Sequence, residues 1–309
     1  MQHEENRHLA ALEANLKRRA LIFKIARRFF DEQGFLEVET PLRSPAIAPE
    51  QEIVPFTSEG WFLATSPELY MKRLLAAGYR NLYQISHCFR KGERGKLHNP
   101  EFTMLEWYRA GDDYRTMISD TEQLVLTISR ELGFGDAVKY QGKTIDLALP
   151  WGGLTVSEAY KQLAGWDPGP NPDPIKFDTD MATKVIPYFN AHRPTVLTDY
   201  PAPMASLARL KQNEPGVAER AEVFIGGLEI ANAYSELIDR KEQTTRFKKE
   251  IEEIHRKQKR DAPLPERFLV AMDNLPASGG IALGMDRLVM LFCDAASIDE
   301  VIAFNSDNA

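Results

Sequence analysis

Three short stretches carry side chains suited to holding a phosphate chain, a divalent cation and an amine. The first, "FRKGERGKLHNPEFTMLEWYR", runs from Phe89 to Arg109 and places a charged loop between two apolar, strand-like runs. Arg90 offers a planar guanidinium fork that matches phosphate oxygens, and Lys96 and His98 can add positive charge. Phe102 presents an aromatic face on which a base could stack. Glu106 and Tyr108 sit on the returning strand. Taken alone, the stretch fits a surface hairpin with solvated charges equally well.

The second stretch, "AEVFIGGLEIANAYSEL", reads as two strands joined by Gly226-Gly227, a two-residue hairpin signal. Regular pairing about that turn puts Phe224 opposite Glu229 and Glu222 opposite Ala231. Glu222 and Glu229 then lie on one face as diagonal neighbours roughly 7–8 Å apart. Two carboxylates at that reach can share Mg²⁺, which prefers carboxylates together with substrate phosphates. Asn232, Tyr234 and Glu236 share a face by period-two spacing. Strict alternation puts them opposite Glu229, so a common site requires a bulge near Ala231. In the third stretch, "GGIALGMDRLVML", a Gly-rich turn is expected to feed a helix, with Arg287 near the first turn and the helix amides available to phosphate. Its spacing is neither that of a P-loop nor that of a dinucleotide fingerprint.

The elements that must position these groups follow from periodicity. Residues 9–33 have Leu9, Leu12, Leu16, Phe23, Ala26 and Phe30 at helical spacing, with Gly34 at the stop. "FLEVETP" is a short strand closed by Pro41. "WFLATSPELYMKRLLAAGY" gives a strand, a helix start at Ser66-Pro67 and an amphipathic helix ending at Gly78. A further amphipathic helix is expected over 114–132, and a charged one over 240–260 with Phe247, Ile251 and Ile254 as its stripe. Residues 135–192 are less regular, with a hairpin near Gly142-Lys143, a helix near 156–164 and the loop "GWDPGPNPDP". They read as a variable insertion within one domain spanning 1–309. The strands are separated by hairpins and unequal helices rather than by a regular βαβ alternation, so the fold class is α+β, an antiparallel sheet flanked by helices.

Composition narrows the function classes. The chain has 309 residues, 43% of them hydrophobic and 27% charged, and its net charge is −7. That balance supplies no general electrostatic footprint for nucleic acid. The two cysteines, Cys88 and Cys293, the polar start and the lack of a long apolar run are those expected of a cytoplasmic protein with reduced thiols and no membrane segment. Cys88 beside His87 reads as packing rather than metal ligation, for no second Cys/His cluster accompanies it.

Together and in this order, the stretches resemble the catalytic core of class II aminoacyl-tRNA synthetases, in particular lysyl-tRNA synthetase and its short paralogue, the elongation factor P lysine ligase family. The resemblance runs from about Leu16 to the end. "FLEVETP" is similar to motif 1, the opening stretch to motif 2, with "HNPEFTMLEWY" specific to the lysine branch, and "GGIALGMDR" to motif 3. It implies that Arg90 binds the α-phosphate of ATP, that His98 and Arg287 reach the β- and γ-phosphates, and that Phe102 stacks on adenine. It implies further that Glu222 and Glu229 hold Mg²⁺, and that Glu68, Glu106, Tyr108, Asn232, Tyr234 and Glu236 line a lysine pocket. The motif 2 glutamate normally stands where Gly92 is found, which leaves its role to Glu93.

The implied chemistry is activation of lysine or (R)-β-lysine as an adenylate, with transfer to a lysine side chain of elongation factor P. Only about fifteen residues precede the stretch of resemblance, too few for an anticodon-reading barrel, so a protein acceptor is expected rather than tRNA. "ASLA" at 205–208 and Ala282, where the synthetase has Gly, resemble the ligase; Ser235 resembles the synthetase. A lysine-activating enzyme with another acceptor (tRNA, a carrier protein or a small molecule) is the alternative. So is a catalytically silent paralogue, which would be expected to have lost the motif arginines and carboxylates that this chain keeps. The resemblance also implies a homodimer through motif 1.

Overall fold

The computed structural model describes residues 2–189, 191–205 and 207–306, with side chains from Asn6 onward. Its first helix, α1 (Gln2–Glu32), buries Ile22, Ile25, Ala26, Phe29 and Phe30. It begins seven residues before the apolar pattern does, because its polar first turns, though helix-compatible, give a periodicity argument nothing to read. Gly34 adopts φ 72° just beyond it, as a helix stop requires. Strand β1 (Leu36–Glu37) follows, then α2 (Glu68–Ala76), β2 (Asn81–Phe89), β3 (Glu101–Ala110) and α3 (Tyr114–Glu131). Asp113 caps α3 by accepting from the backbone N–H groups of Arg115 (2.9 Å) and Thr116 (3.3 Å). Beyond the middle segment lie β4 (Gly152–Thr155), β5 (Thr195–Pro201), β6 (Glu214–Ile225), β7 (Leu228–Ser235), α4 (Arg240–Gln258), β8 (Ser278–Gly284) and α5 (Met285–Cys293).

These strands form one sheet in the order β1-β2-β3-β8-β7-β6-β5-β4, with the short strand Leu210–Lys211 also on β6. The interior pairings are antiparallel, as expected. At the two edges, β1 on β2 and β4 on β5 are parallel, so the sheet is mixed. Residues 135–192 contribute the edge strand β4 and a hairpin of Ala137–Tyr140 with Lys143–Asp146. They also supply much of a separate apolar cluster around Tyr160, Phe177 and Phe224.

One face of the sheet is packed. Alternate residues of β3, Leu105 and Trp107, point into a continuous core with α1, α3 and α5. The opposite alternation, Phe102, Met104, Glu106 and Tyr108, therefore faces the other side. That side carries apolar clusters at its flanks, one around α2 and α4 and one from the middle segment, and leaves its centre open as a cleft. Asp286 in the first turn of α5 ties the elements of the packed face to the sheet. It accepts from the Thr103 backbone N–H at 2.7 Å and from Arg19 Nη1 at 2.5 Å, which joins α5, β3 and α1.

Candidate active site

The cleft encloses about 370 Å³ over the middle of the sheet, and its two ends differ in charge. At one end stand the arginines of the charged loop and of α5. Arg90 leaves β2 with its backbone N–H bonded to Pro100 O (2.8 Å), and its guanidinium lies 5.1 Å over the Phe102 ring. Glu93 is 3.8 Å from Arg90, so it is placed to orient that guanidinium. The loop between the strands closes tightly through paired backbone bonds of Gly95 and His98, at 3.1 and 3.2 Å. Arg287 then ties it to β7: Nη2 donates to His98 Nε2 at 2.6 Å, and Nη1 donates to Glu229 O at 2.9 Å. Burial and the Arg287 charge lower the His98 pKa, so the ring is a neutral acceptor here rather than the added positive charge expected from sequence. Lys96 is exposed at the turn and absent from the cleft wall, because it occupies the tip of the closed loop.

The other end is acidic and buried. Glu106, 1% exposed, accepts from Ser66 Oγ at 2.6 Å and from Tyr108 OH at 3.0 Å. Burial, and next the nearby Glu68 charge, push its carboxyl up to about 8. Glu68 opens α2, and Lys72, one turn on, donates to Glu68 Oε1 at 2.5 Å while also pairing with Glu236. Burial alone would lower the Lys72 pKa, but Glu236 and Glu68 outweigh it and hold the ammonium charged. Glu236 is still pushed up to about 7, chiefly by burial. Asn232 and Tyr234 complete this wall, and Ala282 stands in register between Asn232 and Glu106, its methyl group on the cleft floor.

Two expectations need correction. The glycines of "GGIALG" form a strand, β8, rather than a turn; only Gly284 serves as the N-cap from which α5 starts. The reason is a close approach: a Cβ on Gly280 would collide with Glu236 Oε1 and the Tyr108 ring, so the missing side chain makes room for the acidic wall. The hairpin register also differs. Phe224 does face Glu229, but Val223 faces Ala231 and Glu222 faces Asn232, which leaves Ile230 as the extra residue of a β-bulge. That bulge, adjacent to Ala231, is what lets Glu229, Asn232 and Tyr234 line one cleft.

Glu222 stands just behind the wall, with Oε1 accepting from Arg220 Nη2 at 2.6 Å. Burial raises its pKa, and the charge of Glu229 adds to the rise. Asn232 Oδ1 is buried without a partner beside it. Two repelling carboxylates and an orphaned amide oxygen form an all-oxygen donor set that fits a hard divalent cation. Among the described residues no three acidic, His or Cys side chains could hold a metal by themselves, so phosphate oxygens or water must supply the remaining ligands.

The structure thus gathers Glu68, Arg90, Glu93, His98, Phe102, Glu106, Tyr108, Glu229, Asn232, Tyr234, Glu236, Ala282 and Arg287 around one cleft. It adds residues that sequence reasoning missed. Lys72 is four residues after Glu68 on one helix face, and Arg220 two before Glu222 on one strand face; both spacings were visible. Arg220 lies 4.5 Å from the Tyr200 ring centroid and has no hydrogen-bond partner at its buried Nε. Ser66 was read only as a helix start, and Glu50, from a loop outside the sheet, carried no signal. Ser206 of "ASLA" lies outside the described residues, as do Met1, Asn190 and 307–309.

Comparison with known proteins agrees with this geometry. Residues 6–308 match the family of tRNA synthetases class II (D, K and N). The chain is 37% identical over 308 residues to the elongation factor P–(R)-β-lysine ligase of Proteus mirabilis, covering 94% of each. To the ligase of the same name from Edwardsiella ictaluri it is 36% identical over 313 residues, 96% of each. It is also 34% identical over 322 residues to the lysine–tRNA ligase of Magnetococcus marinus, covering 93% of this chain and 63% of that one. With the arginine-lined and carboxylate-lined ends of one cleft built on the strands that carry its motifs, the chain belongs to the class II tRNA synthetases of the D, K and N type.

Proposed function

We propose that this protein is an ATP-dependent ligase that activates (R)-β-lysine or lysine as an aminoacyl-adenylate and transfers it to a lysine side chain of elongation factor P. The observation that carries the reading is the polarity of the cleft. Arg90, His98 and Arg287 stand at one end, and Glu68, Glu106 and Glu236 at the other, on one sheet face. That arrangement suits a substrate pair made of a triphosphate and a diamino acid. The names of the relatives that match end to end support elongation factor P as the acceptor and (R)-β-lysine as the amino acid. The Ala282 methyl group supports the latter too, because it occupies floor space between Asn232 and Glu106 and favours a substrate whose ammonium is displaced by one carbon.

In the first step the amino-acid carboxylate attacks the α-phosphorus in line. A carboxylate–phosphorus bond forms, and the bond to the bridging oxygen breaks as pyrophosphate leaves. Arg90 neutralises the α-phosphate, Phe102 supports the adenine, and Arg287, oriented by the neutral His98 ring, takes the charge that grows on pyrophosphate. Mg²⁺ held by Glu222 and Glu229 beside Asn232 would supply further neutralisation of the phosphates. No covalent bond to the protein is needed; positioning and electrostatics perform the step. In the second step the acceptor amine, having lost a proton, attacks the acyl carbon and AMP leaves. Leu21, Leu36 and Leu42 on the motif 1 elements are exposed, an apolar surface that supports a homodimer. Among the described residues no helix is long and apolar enough to cross a membrane.

The test is ATP–pyrophosphate exchange with (R)-β-lysine, α-lysine and other amino acids supplied separately, followed by transfer to purified elongation factor P. Exchange and a mass gain of one lysyl residue on the factor support the proposal. Exchange without transfer to the factor favours another acceptor, and no exchange with any amino acid refutes activation itself.

A further inference from the structure

Seven carboxylates line the cleft, and basic side chains compensate five of them. Arg90 lies 3.8 Å from Glu93, and Arg19 donates to Asp286 at 2.5 Å. Lys72 pairs with both Glu68 and Glu236, and Arg287 lies 3.3 Å from Glu229. Glu106 receives only neutral hydroxyl donors. The Glu50 carboxylate makes no hydrogen bond or ion pair among the described residues, although burial is strong enough to push it up to about 7. Two carboxylates therefore await cations, and a diamino acid brings two ammonium groups.

Where Glu50 stands decides which ammonium it meets. Glu50 lines the cleft together with Arg90 and Arg220 on one side of the charge divide and Glu68 on the other, at the junction of the phosphate end and the acidic end. That junction is where the reacting carboxylate must lie to attack phosphorus. The Glu50 loop is held there rather than left loose. Gln51 N–H donates to Glu250 Oε2 at 3.2 Å, Lys257 Nζ to Gln51 Oε1 at 2.7 Å, and Arg260 Nη2 to Ile53 O at 3.2 Å, all from α4 or the residues after it. The loop's other end is pinned to the charged hairpin, with Lys91 N–H donating to Val54 O at 2.7 Å. A half-buried, positioned and unpaired carboxylate is costly in the empty protein, and a bound ammonium would relieve that cost.

We propose that Glu50 is a substrate-specificity residue of the adenylation site, receiving the ammonium nearest the reacting carboxylate while Glu106 receives the distal one. The inference rests on the activating function proposed above. It is tested by ATP–pyrophosphate exchange with the full chain and Glu50→Gln, comparing the preferred diamino acid with ε-aminocaproate, which lacks the proximal amine. The unaltered protein is expected to prefer the diamino acid by about 100-fold or more in kcat/KM, because the analogue leaves Glu50 unpaired. Glu50→Gln is expected to shrink that preference to under about 10-fold, through KM for the diamino acid, with KM for ATP unchanged. Its Tm should equal or exceed that of the unaltered protein, since an unpaired, half-buried charge has been removed. An unchanged preference in a folded Glu50→Gln protein overturns the role of Glu50 alone. Exchange by the unaltered protein with no diamino acid overturns the activating function on which it rests.

Discussion

Lys72→Met should show how far the acidic wall depends on one ammonium. Lys72 is 1% exposed and contacts both Glu68 and Glu236. At 2.5 Å and an effective dielectric near 20, the Glu68 contact alone is worth about 7 kcal/mol before desolvation is subtracted. Methionine fills a similar volume but leaves two buried carboxylates facing each other, a change that typically costs about 3–5 kcal/mol. Unfolding entropy near 2.1 cal/mol/K per residue gives about 0.65 kcal/mol/K for 309 residues, so Tm at pH 8 should fall by about 5–8 °C. The pH dependence separates this cause from lost packing. Lys72 has a raised folded pKa, so its own contribution is constant through neutral pH and would fade only at high pH. Glu236 is a carboxyl with a raised folded value of about 7. Stability tied to it is present below its unfolded pKa and lost as pH rises through 7. The deficit of Lys72→Met should therefore shrink on going from pH 8 to pH 5.5, and Lys72→Met with Glu236→Gln should recover about half of it at pH 8. Calorimetry or circular dichroism melts at the two pH values suffice. A deficit of the same size at both would refute the electrostatic account, and no deficit at pH 8 would refute the compensating role altogether.

Gly280→Ala should raise KM for the amino acid by about tenfold or more in the exchange assay while leaving KM for ATP unchanged, because its Cβ would strike Glu236 and Tyr108 but no residue of the phosphate end. Arg287→Lys should lower kcat by about 100-fold, measured by single-turnover pyrophosphate release, since an ammonium cannot span His98, Glu229 and a phosphate at once. The stabilisation that the amino acid gives to Tm should grow from pH 6 to pH 8.5. Glu106 has a folded value raised to about 8, so the empty protein loses stability as pH rises through that range and a bound ammonium restores it. Glu106→Gln should flatten that growth, and a Tm gain independent of pH in the unaltered protein would contradict the reading.

The elements that build the site were legible where local pattern and tertiary role coincide. β2 and β3 read as apolar runs because one face is core and the other lines the cleft, and Gly226 and Gly227, at φ 62° and 86°, mark the turn between β6 and β7 by being residues that tolerate that backbone. The glycines of β8 misled for the opposite reason. A glycine selected for close approach has the same letter as one selected for a turn, and only the positions of Tyr108 and Glu236 distinguish them. The first helix was read seven residues short because polar residues form helix without leaving an apolar stripe.

By itself, the sequence determined which groups could do the chemistry and the α+β class of the sheet that carries them, since residue type and alternation are local properties. Tertiary structure alone decided how those groups meet. The bulge at Ile230 turns Glu229 toward Asn232, and a one-residue slip of register exchanges every side chain between the two faces of a sheet. Burial and buried neighbours decided the charge states: burial raises Glu106 and lowers His98, while Glu236 and Glu68 keep Lys72 charged against its burial. Glu50 entered the cleft only through the loop held by α4. Depth, register and long-range contact depend on residues far apart in the chain, and so no short stretch could have encoded them.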